Sequence, residues 1–262
     1  MNFKDPSTVL DLNNIRASLV RMEETIVFGL IERSQFFSSP SVYQPNKYNI
    51  EGFDGSFMEW LLLQTERMHS QVRRYEAPDE TPFFPEELLK PLLPPIDYPK
   101  VLASYSDEIN VNKDIMDFYV AHIVPQVACE KGDQNQNSGS VSLCDVECLQ
   151  ALSRRIHFGK FVAEAKYRGD PALYKKLILA RDVAGIEASI TNQAVEDKIL
   201  LRLKEKCEAY GTDPSLKYSQ NQQKAKVDPE LIVHLYKQYV IPLTKKVEVE
   251  YLLRRLEDED GQ

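Results

Sequence analysis

The stretch that most constrains the fold is residues 149–167, LQALSRRIHFGKFVAEAKY. Its apolar residues recur at helical spacing, so the pattern predicts a helix with one face in a core. Beside that face, steps of four, three and four residues place a second stripe on one side of the helix. The stripe consists of Arg155, Gly159, Val162 and Lys166, and it is about 16 Å long.

Gly159 is the unusual member of this stripe, because a glycine inside a helix costs roughly 1 kcal/mol relative to alanine. In one interpretation, Arg155 and Lys166 are solvated surface charges and Gly159 packs against a neighbouring helix. In the other, the two cations hold a small anion with more than one carboxylate, which comes close to the backbone at the glycine. The spacing leaves both interpretations open.

The overall charge and hydropathy exclude several classes of partner. The net charge of -8 disfavours nonspecific nucleic-acid binding, which requires a basic surface. No apolar run reaches the 18 or more residues that span a bilayer, and the N-terminal MNFKDPSTVL lacks a hydrophobic signal core. We therefore expect a cytoplasmic protein with neither a membrane nor a nucleic-acid partner.

The cysteines and histidines do not predict a metal site. The four cysteines include no Cys-x-x-Cys pair, and the four histidines show no ligand spacing. We expect the cysteines to be small buried residues in a reducing compartment.

Helical patterns and capping residues cover most of the remaining chain. They predict helices over 8–34, 57–75 and 107–129, a long central helix capped by Ser140 or Ser142, a short helix after Pro171, and helices over 184–210 and from Asp228 to about Leu256. Ser142 and Asp145 match a capping box. No strand pattern is present, so the predicted class is an all-α helical bundle.

The segments between these helices have compositions typical of irregular structure. Residues 35–56 and 131–140 are predicted loops, and the proline-rich residues 78–99 are predicted to run extended over the surface. Pro242 is predicted to kink the last helix; a weak echo links Tyr119 and Pro125 to Tyr236 and Pro242. The acidic tail at 257–262 is expected to be frayed.

Two further pairs of polar residues share a helix face because their members are four apart. Asn192 pairs with Glu196, and Thr244 with Glu248. The bundle interior is therefore predicted to hold Arg16, Arg155, Lys166, Asn192, Glu196, Thr244 and Glu248. This set contains no Cys-His or Ser-His arrangement, and the chain has no glycine-rich phosphate loop. Such a site is suited to binding, orienting and polarising a ligand rather than to nucleophilic catalysis.

Four long segments carry a resemblance to a known family. They are ECLQALSRRIHFGKFVAEAK (147–166), APDETPFFP (77–85), ITNQAVEDKIL (190–200) and IPLTKKVEVEYLLRRLE (241–257). In these segments the chain closely resembles the fungal, yeast-type allosteric chorismate mutases. The resemblance implies an all-α homodimer with a catalytic four-helix bundle in each protomer. It also implies a single domain over 1–262, with regulatory elements at about 73–143.

The resemblance implies a reaction and a role for each predicted site residue. The reaction is the Claisen rearrangement of chorismate to prephenate, in tyrosine and phenylalanine biosynthesis, with no cofactor. Arg16 and Arg155 would bind the two carboxylates, and Lys166 and Glu248 would contact the ether oxygen. The remaining three positions would hold the ring hydroxyl (Asn192 and Glu196) and support a carboxylate (Thr244).

Regulation is also implied by the resemblance: tyrosine inhibits, tryptophan activates, and both bind at the dimer interface. The matching positions are Arg73, Arg74, Asn137, Gly139 and Ser140. Backbone amides at a helix N-terminus suit an amino-acid carboxylate. The chain departs from the family pattern in this region at Gln136, Ser138 and Leu143, and again at Asp228.

Two alternatives compete with the enzyme hypothesis. One is a non-catalytic helical sensor of aromatic amino acids that keeps the fold and the effector loop. The other is a plain helical scaffold, which explains neither the Gly159 stripe nor the paired polar residues. The intact set of charged positions favours the enzyme.

Overall fold

The computed structural model describes residues 2–211 and 226–258. These residues form helices and connecting segments, with no strand among them, so the predicted all-α class is confirmed. The α-helices are α1 (Pro6–Val9), α2 (Leu12–Arg33), α3 (Phe57–Gln71), α4 (Asn112–Phe118), α5 (Val124–Val127), α6 (Ser138–His157), α7 (Gly159–Gly169), α8 (Pro171–Leu179), α9 (Val183–Ile190), α10 (Gln193–Tyr210), α11 (Pro229–Leu235) and α12 (Ile241–Leu253).

The central helix is two helices rather than one. α6 ends at His157, Phe158 separates the two, and Gly159 is the first residue of α7. The prediction of one uninterrupted helix over 149–167 was therefore wrong. Phe158 keeps right-handed backbone angles (φ -60°, ψ -14°), so the direction changes only locally and both helices still contribute to one site.

The start of α6 also differs from the prediction. The helix begins at Ser138, earlier than the predicted cap at Ser140 or Ser142, and Ser142 and Asp145 form no capping box. Asp145 instead makes a fully buried ion pair with Arg33 of α2, with Nε and Oδ1 2.7 Å apart. The carboxylate that the local pattern assigned to a helix cap therefore forms a tertiary ion pair instead.

Several other predicted helices are divided by capping residues. Residues 8–34 form α1 and α2, with Asp11 capping α2 through Asn13 and Asn14. The predicted helix at 184–210 is broken before Asn192, whose side chain caps α10 by accepting from the Val195 amide at 3.2 Å. Asp228 caps α11, as predicted.

The echo between the two Tyr…Pro segments is structural. Tyr119–Ile123 and Tyr236–Val240 are both five-residue π-helical segments, and each leads directly into a helix with proline at its second position. Proline lacks the amide hydrogen of a regular helical turn, and a π segment is one way to accommodate that loss. The interruption thus falls where the kink at Pro242 was predicted.

The segments outside the helices match their predictions in part. Pro40–Tyr43 forms a short helical turn within the predicted loop at 35–56, and the predicted loop at 131–140 ends early because α6 begins at Ser138. Residues 78–99 contain only one short helical turn, Pro85–Glu87. The tail is not frayed at its start, because Asp258 accepts from the Ser104 amide and Glu257 from Arg254; residues 259–262 lie outside the described residues. Cys148 and Cys207 are buried as predicted, whereas Cys129 is exposed and Cys144 only partly buried.

The apolar side chains form a main core and a smaller cluster beside it. The smaller cluster joins the start of α2 to the start of α7 through residues such as Ile15 and Phe161. α7 packs extensively on α12, and α2 on both α6 and α10. These contacts place α2, α6, α7, α10 and α12 around one cavity.

Candidate active site

All seven predicted catalytic residues line a single cavity of about 350 Å³. It lies between α2, the α6–α7 junction, the start of α10, and α12. Its polar lining is Arg16, Arg155, Lys166, Ser189, Thr191, Asn192, Glu196, Thr244, Lys245 and Glu248. Its apolar lining is Leu12, Ile15, Leu19, Val162, Ile190, Val195, Ile199 and Ile241. Of these, the sequence analysis placed only Val162 beside the predicted cations.

Gly159 allows α7 to approach α12 closely. A Cβ atom at this position would lie 3.1 Å from the Thr244 carbonyl oxygen and 3.3 Å from Cγ of Glu248. The helix-packing interpretation of the glycine is therefore confirmed. The same interpretation also treated Arg155 as a solvated surface charge. That part is wrong, because Arg155 is only 3% exposed and faces the cavity instead of solvent.

Arg155 has an unused hydrogen-bond donor. Its Nη1 donates to the Thr244 hydroxyl at 3.4 Å, and that hydroxyl donates to the Val240 carbonyl at 2.7 Å. Nε is buried and has no hydrogen-bond partner among the described residues. Because an unpaired buried donor is costly, Arg155 is prepared for an anionic acceptor in the cavity.

Lys166 and Glu248 face each other across the cavity, with Nζ 3.9 Å from Oε2. Lys166 also donates to the Ile190 carbonyl, at the C-terminus of α9, at 2.5 Å. The cation is stabilised there because the last carbonyls of a helix carry partial negative charge. Burial lowers the pKa of Lys166, while Glu248 and Glu196 act to raise it.

The carboxyl of Glu248 is the most perturbed acid in the cavity. Burial raises its pKa to about 7, against the opposing effect of Lys166 and Arg155. Its Oε2 is buried without a hydrogen-bond partner among the described residues. Below that pKa the protonated carboxyl is a hydrogen-bond donor, whereas an ionised carboxylate only accepts.

Glu196 is held by a residue that the sequence analysis missed. Lys245 Nζ lies 2.8 Å from Glu196 Oε1, and both side chains are largely buried. Lys245 precedes Glu248 by three residues and so shares its helix face, a signal that was available in the sequence. Asn192, as the N-cap of α10, places its side chain at the same wall.

Arg16 occupies the open side of the cavity. It lies on the first turns of α2, between the apolar residues Ile15 and Leu19, and its side chain is exposed. The site thus combines an exposed cation, a buried cation, a lysine–glutamate pair and an apolar wall. It can bind a small dianion, orient it and stabilise charge on a third oxygen.

The predicted effector residues lie in two separate places in the described part of the chain. Arg74 donates to Gln150 on α6 at 2.9 Å and to Glu80 at 3.1 Å. Ser140 lies ten residues before Gln150, which is about 15 Å along the helix axis. Asn137, Gly139 and Ser140 begin α6, so the two sets of residues are well separated within one protomer.

Within residues 2–211 and 226–258, no three His, Cys, Asp or Glu side chains are grouped closely enough to hold a metal ion. Over the same residues, no helix has the length and apolar character needed to cross a membrane.

Comparison with known proteins identifies the family. The sequence model described as chorismate mutase type II matches residues 137–249. The chain is 63% identical to the chorismate mutase of Pichia angusta over 99% of its own length and 92% of the relative's. It is 53% identical to that of Saccharomyces cerevisiae, covering 98% of this chain and 100% of the relative.

Solved structures give the same result. The chorismate mutase of Candida albicans, in complex with L-Trp, matches with a TM-score of 0.96 and 70% identity, over 99% of this chain and 97% of that one. AtCM1 with tyrosine bound in its allosteric site matches with a TM-score of 0.84 and 44% identity, over 96% and 99%.

The chain belongs to the chorismate mutase family. It is an enzyme that rearranges chorismate to prephenate, and the catalytic hypothesis is confirmed over the alternative of a non-catalytic sensor.

Proposed function

We propose that the 350 Å³ cavity is where chorismate binds and rearranges. The observation that carries this proposal is the unpartnered buried Nε of Arg155, which faces the same cavity as the Lys166–Glu248 pair. Chorismate has a group for each of these features. Its carboxylates can bind the cations, and its ether oxygen, which gains negative charge as its bond to carbon breaks, can contact the Lys166–Glu248 pair.

The two arginines bind the ends of the substrate. Arg155 takes one carboxylate deep in the cavity, with Thr244 supporting the same group, and Arg16 takes the other carboxylate at the open side. Guanidinium groups suit this task because their paired donors match a carboxylate. Fixing both ends in the compact conformation that the rearrangement requires lowers the entropic part of the barrier.

Lys166 and Glu248 stabilise the breaking bond. The reaction is intramolecular: one carbon–oxygen bond breaks while one carbon–carbon bond forms, and no proton needs to move. Partial negative charge on the ether oxygen is stabilised by the Lys166 ammonium and by a hydrogen bond from the protonated carboxyl of Glu248. Asn192 and Glu196 hold the ring hydroxyl, and Lys245 fixes the Glu196 carboxylate.

We further propose that tyrosine inhibits and tryptophan activates this enzyme. Tryptophan bound to the Candida albicans relative and tyrosine bound in the allosteric site of AtCM1 support this. Since Arg74 contacts Gln150, which lies about 15 Å along α6 from Ser140, we place an effector that contacts both sets of residues between two protomers of a homodimer. α6 then connects the effector residues Asn137, Gly139 and Ser140 to Arg155 as one rigid element. In this proposal residues of about 73–143 are regulatory, and the enzyme works in the cytoplasm.

One set of measurements tests these proposals. Purified protein is mixed with chorismate, and the loss of chorismate absorbance is followed with and without tyrosine or tryptophan. Sedimentation of the same sample gives the oligomeric state. Turnover that tyrosine and tryptophan leave unchanged would contradict the regulatory proposal, and a monomer at assay concentration would contradict the effector site between protomers.

A further inference from the structure

Outside the catalytic cavity, α7 and α12 are joined by a buried ionic cluster. Its centre is Glu164 on α7, which is fully buried. Its carboxylate accepts from the Tyr251 hydroxyl at 2.8 Å, from Arg255 Nε at 2.7 Å and from Arg168 Nε at 2.7 Å. Glu164 does not line the cavity, so the proposed chemistry does not use it.

The Glu164 carboxylate is fully satisfied, as a buried charge must be if it is to be tolerated in the fold. Burial acts to raise the pKa of Glu164, but hydrogen bonds from Arg255, Arg168 and Tyr251 outweigh it and lower the pKa. The Tyr251 hydroxyl in turn accepts from the Ala103 amide at 2.8 Å. Removing one partner of such a group leaves an uncompensated buried charge, so the cluster favours one relative position of the two helices.

The cluster brackets Lys166 along the chain. Glu164 precedes Lys166 by two residues, Tyr167 and Arg168 follow it, and the Arg255 guanidinium lies 4.6 Å from the centre of the Tyr167 ring. On α12, Tyr251 follows Glu248 by three residues and therefore lies near it on the helix surface. Glu164 is thus two residues from Lys166 on α7, and Tyr251 is about one turn from Glu248 on α12, so the cluster joins the two helices close to the Lys166–Glu248 pair.

We propose that Glu164, Tyr251 and Arg255 form a positioning site that sets the separation of Lys166 and Glu248. Lys166 has a long side chain whose reach depends on where α7 lies against α12. Close packing at Gly159 fixes one point of contact between these helices, and the Glu164 cluster fixes a second. The inference rests on the proposed function, because it assigns these residues a role through Lys166 and Glu248.

The pH profile separates positioning from simple stabilisation. The charged groups that face Glu248 are Lys166 from α7, Arg155 from α6, Lys245 from α12 and Glu196 from α10. Among these cations, only Lys166 has cluster residues on both sides of it in the sequence. If the cluster is weakened and Lys166 moves away, Glu248 loses a neighbouring positive charge and its pKa rises further. The fall in activity at basic pH then moves to higher pH.

The test compares Arg255→Gln and Tyr251→Phe with Arg254→Gln. Arg254 is the matched control because it adjoins Arg255 but binds Glu108 and Glu257 rather than Glu164. For both cluster variants we expect kcat/KM about tenfold lower at the acidic optimum, and a basic limb displaced upward by about half a pH unit or more. The control should reproduce the wild-type profile.

A constant unfolded fraction only scales the profile, and unfolding at basic pH would move the limb to lower pH, so neither imitates the expected shift to higher pH. Cluster variants whose limb coincides with that of wild type would overturn the proposal, even if their melting temperatures fall. Glu248→Gln is measured alongside. If that variant keeps the wild-type decline, the proposed role of Glu248 fails; if it loses the decline while the cluster variants do not shift, only the positioning inference fails.

Discussion

Lys166 Nζ and Glu248 Oε2 lie 3.9 Å apart, but only one of the two groups has a hydrogen-bond partner within the described part of the chain. The Lys166 ammonium has the Ile190 carbonyl as a hydrogen-bond partner, whereas Glu248 Oε2 has none among the described residues. The glutamate is therefore the group in this pair whose hydrogen-bonding capacity remains available. Because burial raises its pKa to about 7, its protonation state changes near neutral pH.

The first prediction is the pH dependence that follows. Below about pH 7 Glu248 is mostly protonated and donates to the ether oxygen, so kcat/KM should be highest in mildly acidic solution and fall as pH rises through this pKa. Glu248→Gln keeps a donor at every pH and should lose most of that fall. Rates for both proteins from about pH 4.5 to 8.5 check this. A flat wild-type profile, or a parallel decline in the variant, would exclude Glu248 as the donor.

The second prediction concerns the two buried cations. Arg155→Ala and Lys166→Ala should each lower kcat/KM by at least about 100-fold, since each removes a charge that stabilises the transition state. Circular dichroism should show that both variants remain helical. Turnover near the wild-type rate in either variant would remove that cation from the proposed mechanism.

The third prediction concerns Gly159. Helix propensity alone favours Gly159→Ala by about 1 kcal/mol, but the new Cβ would lie 3.1 Å from the Thr244 carbonyl oxygen. Because a backbone atom in a packed helix cannot move far to relieve this contact, we expect a net destabilisation of roughly 1–3 kcal/mol and a raised KM. Gly169→Ala is the control, because nothing lies within 4 Å of a Cβ there. Urea unfolding of the two variants gives the comparison; a stabilised Gly159→Ala protein would contradict the close approach.

The fourth prediction concerns Lys160, a lysine that is 4% exposed. Burial lowers its pKa to about 8, with Asp107 opposing the shift. At pH 7 the lysine is charged in both the folded and the unfolded protein, so folding must bury the charge. As pH rises from about 8 towards the pKa of an ordinary lysine, the folded protein loses this proton before the unfolded protein does. The free energy of unfolding of the wild type therefore increases over that range. Lys160→Met should therefore be the more stable protein at pH 7, by on the order of 1 kcal/mol.

That advantage should shrink at pH 9. Urea unfolding at both pH values checks the trend, with Lys90→Met as a control because Lys90 is exposed. An advantage that stays constant with pH would mean that packing, and not the buried charge, is responsible.

The fifth prediction concerns regulation. Arg74→Ala should shift the tyrosine inhibition curve to at least about tenfold higher concentration, because the effector carboxylate loses a charged partner. Each curve is scaled to the uninhibited rate of its own variant. Arg67→Ala is the control, since Arg67 binds Glu87 on the surface; coincident curves for the two variants would place the effector elsewhere.

Local patterns accounted for the helical class and for most helix positions. The Asp228 cap and the face shared by Thr244 and Glu248 depend on residues within one or two turns, so they can be predicted without knowledge of the fold. Helix-face spacing also grouped the seven catalytic candidates in the bundle interior, but the role of each one depended on long matched segments of a family. The apolar wall of the cavity was not predicted, because its residues look like ordinary core positions.

The sequence by itself determined the all-helical class, the approximate positions of most helices, the charged residues and the family resemblance, since these properties are carried by neighbours along the chain. Only the tertiary structure decided the break at Phe158, the use of Asp145 by Arg33 rather than by a cap, and the pairing of Lys245 with Glu196. It also decided the protonation of Glu248. The pKa of a carboxyl depends on burial and on charges from distant elements, and no local spacing contains that information.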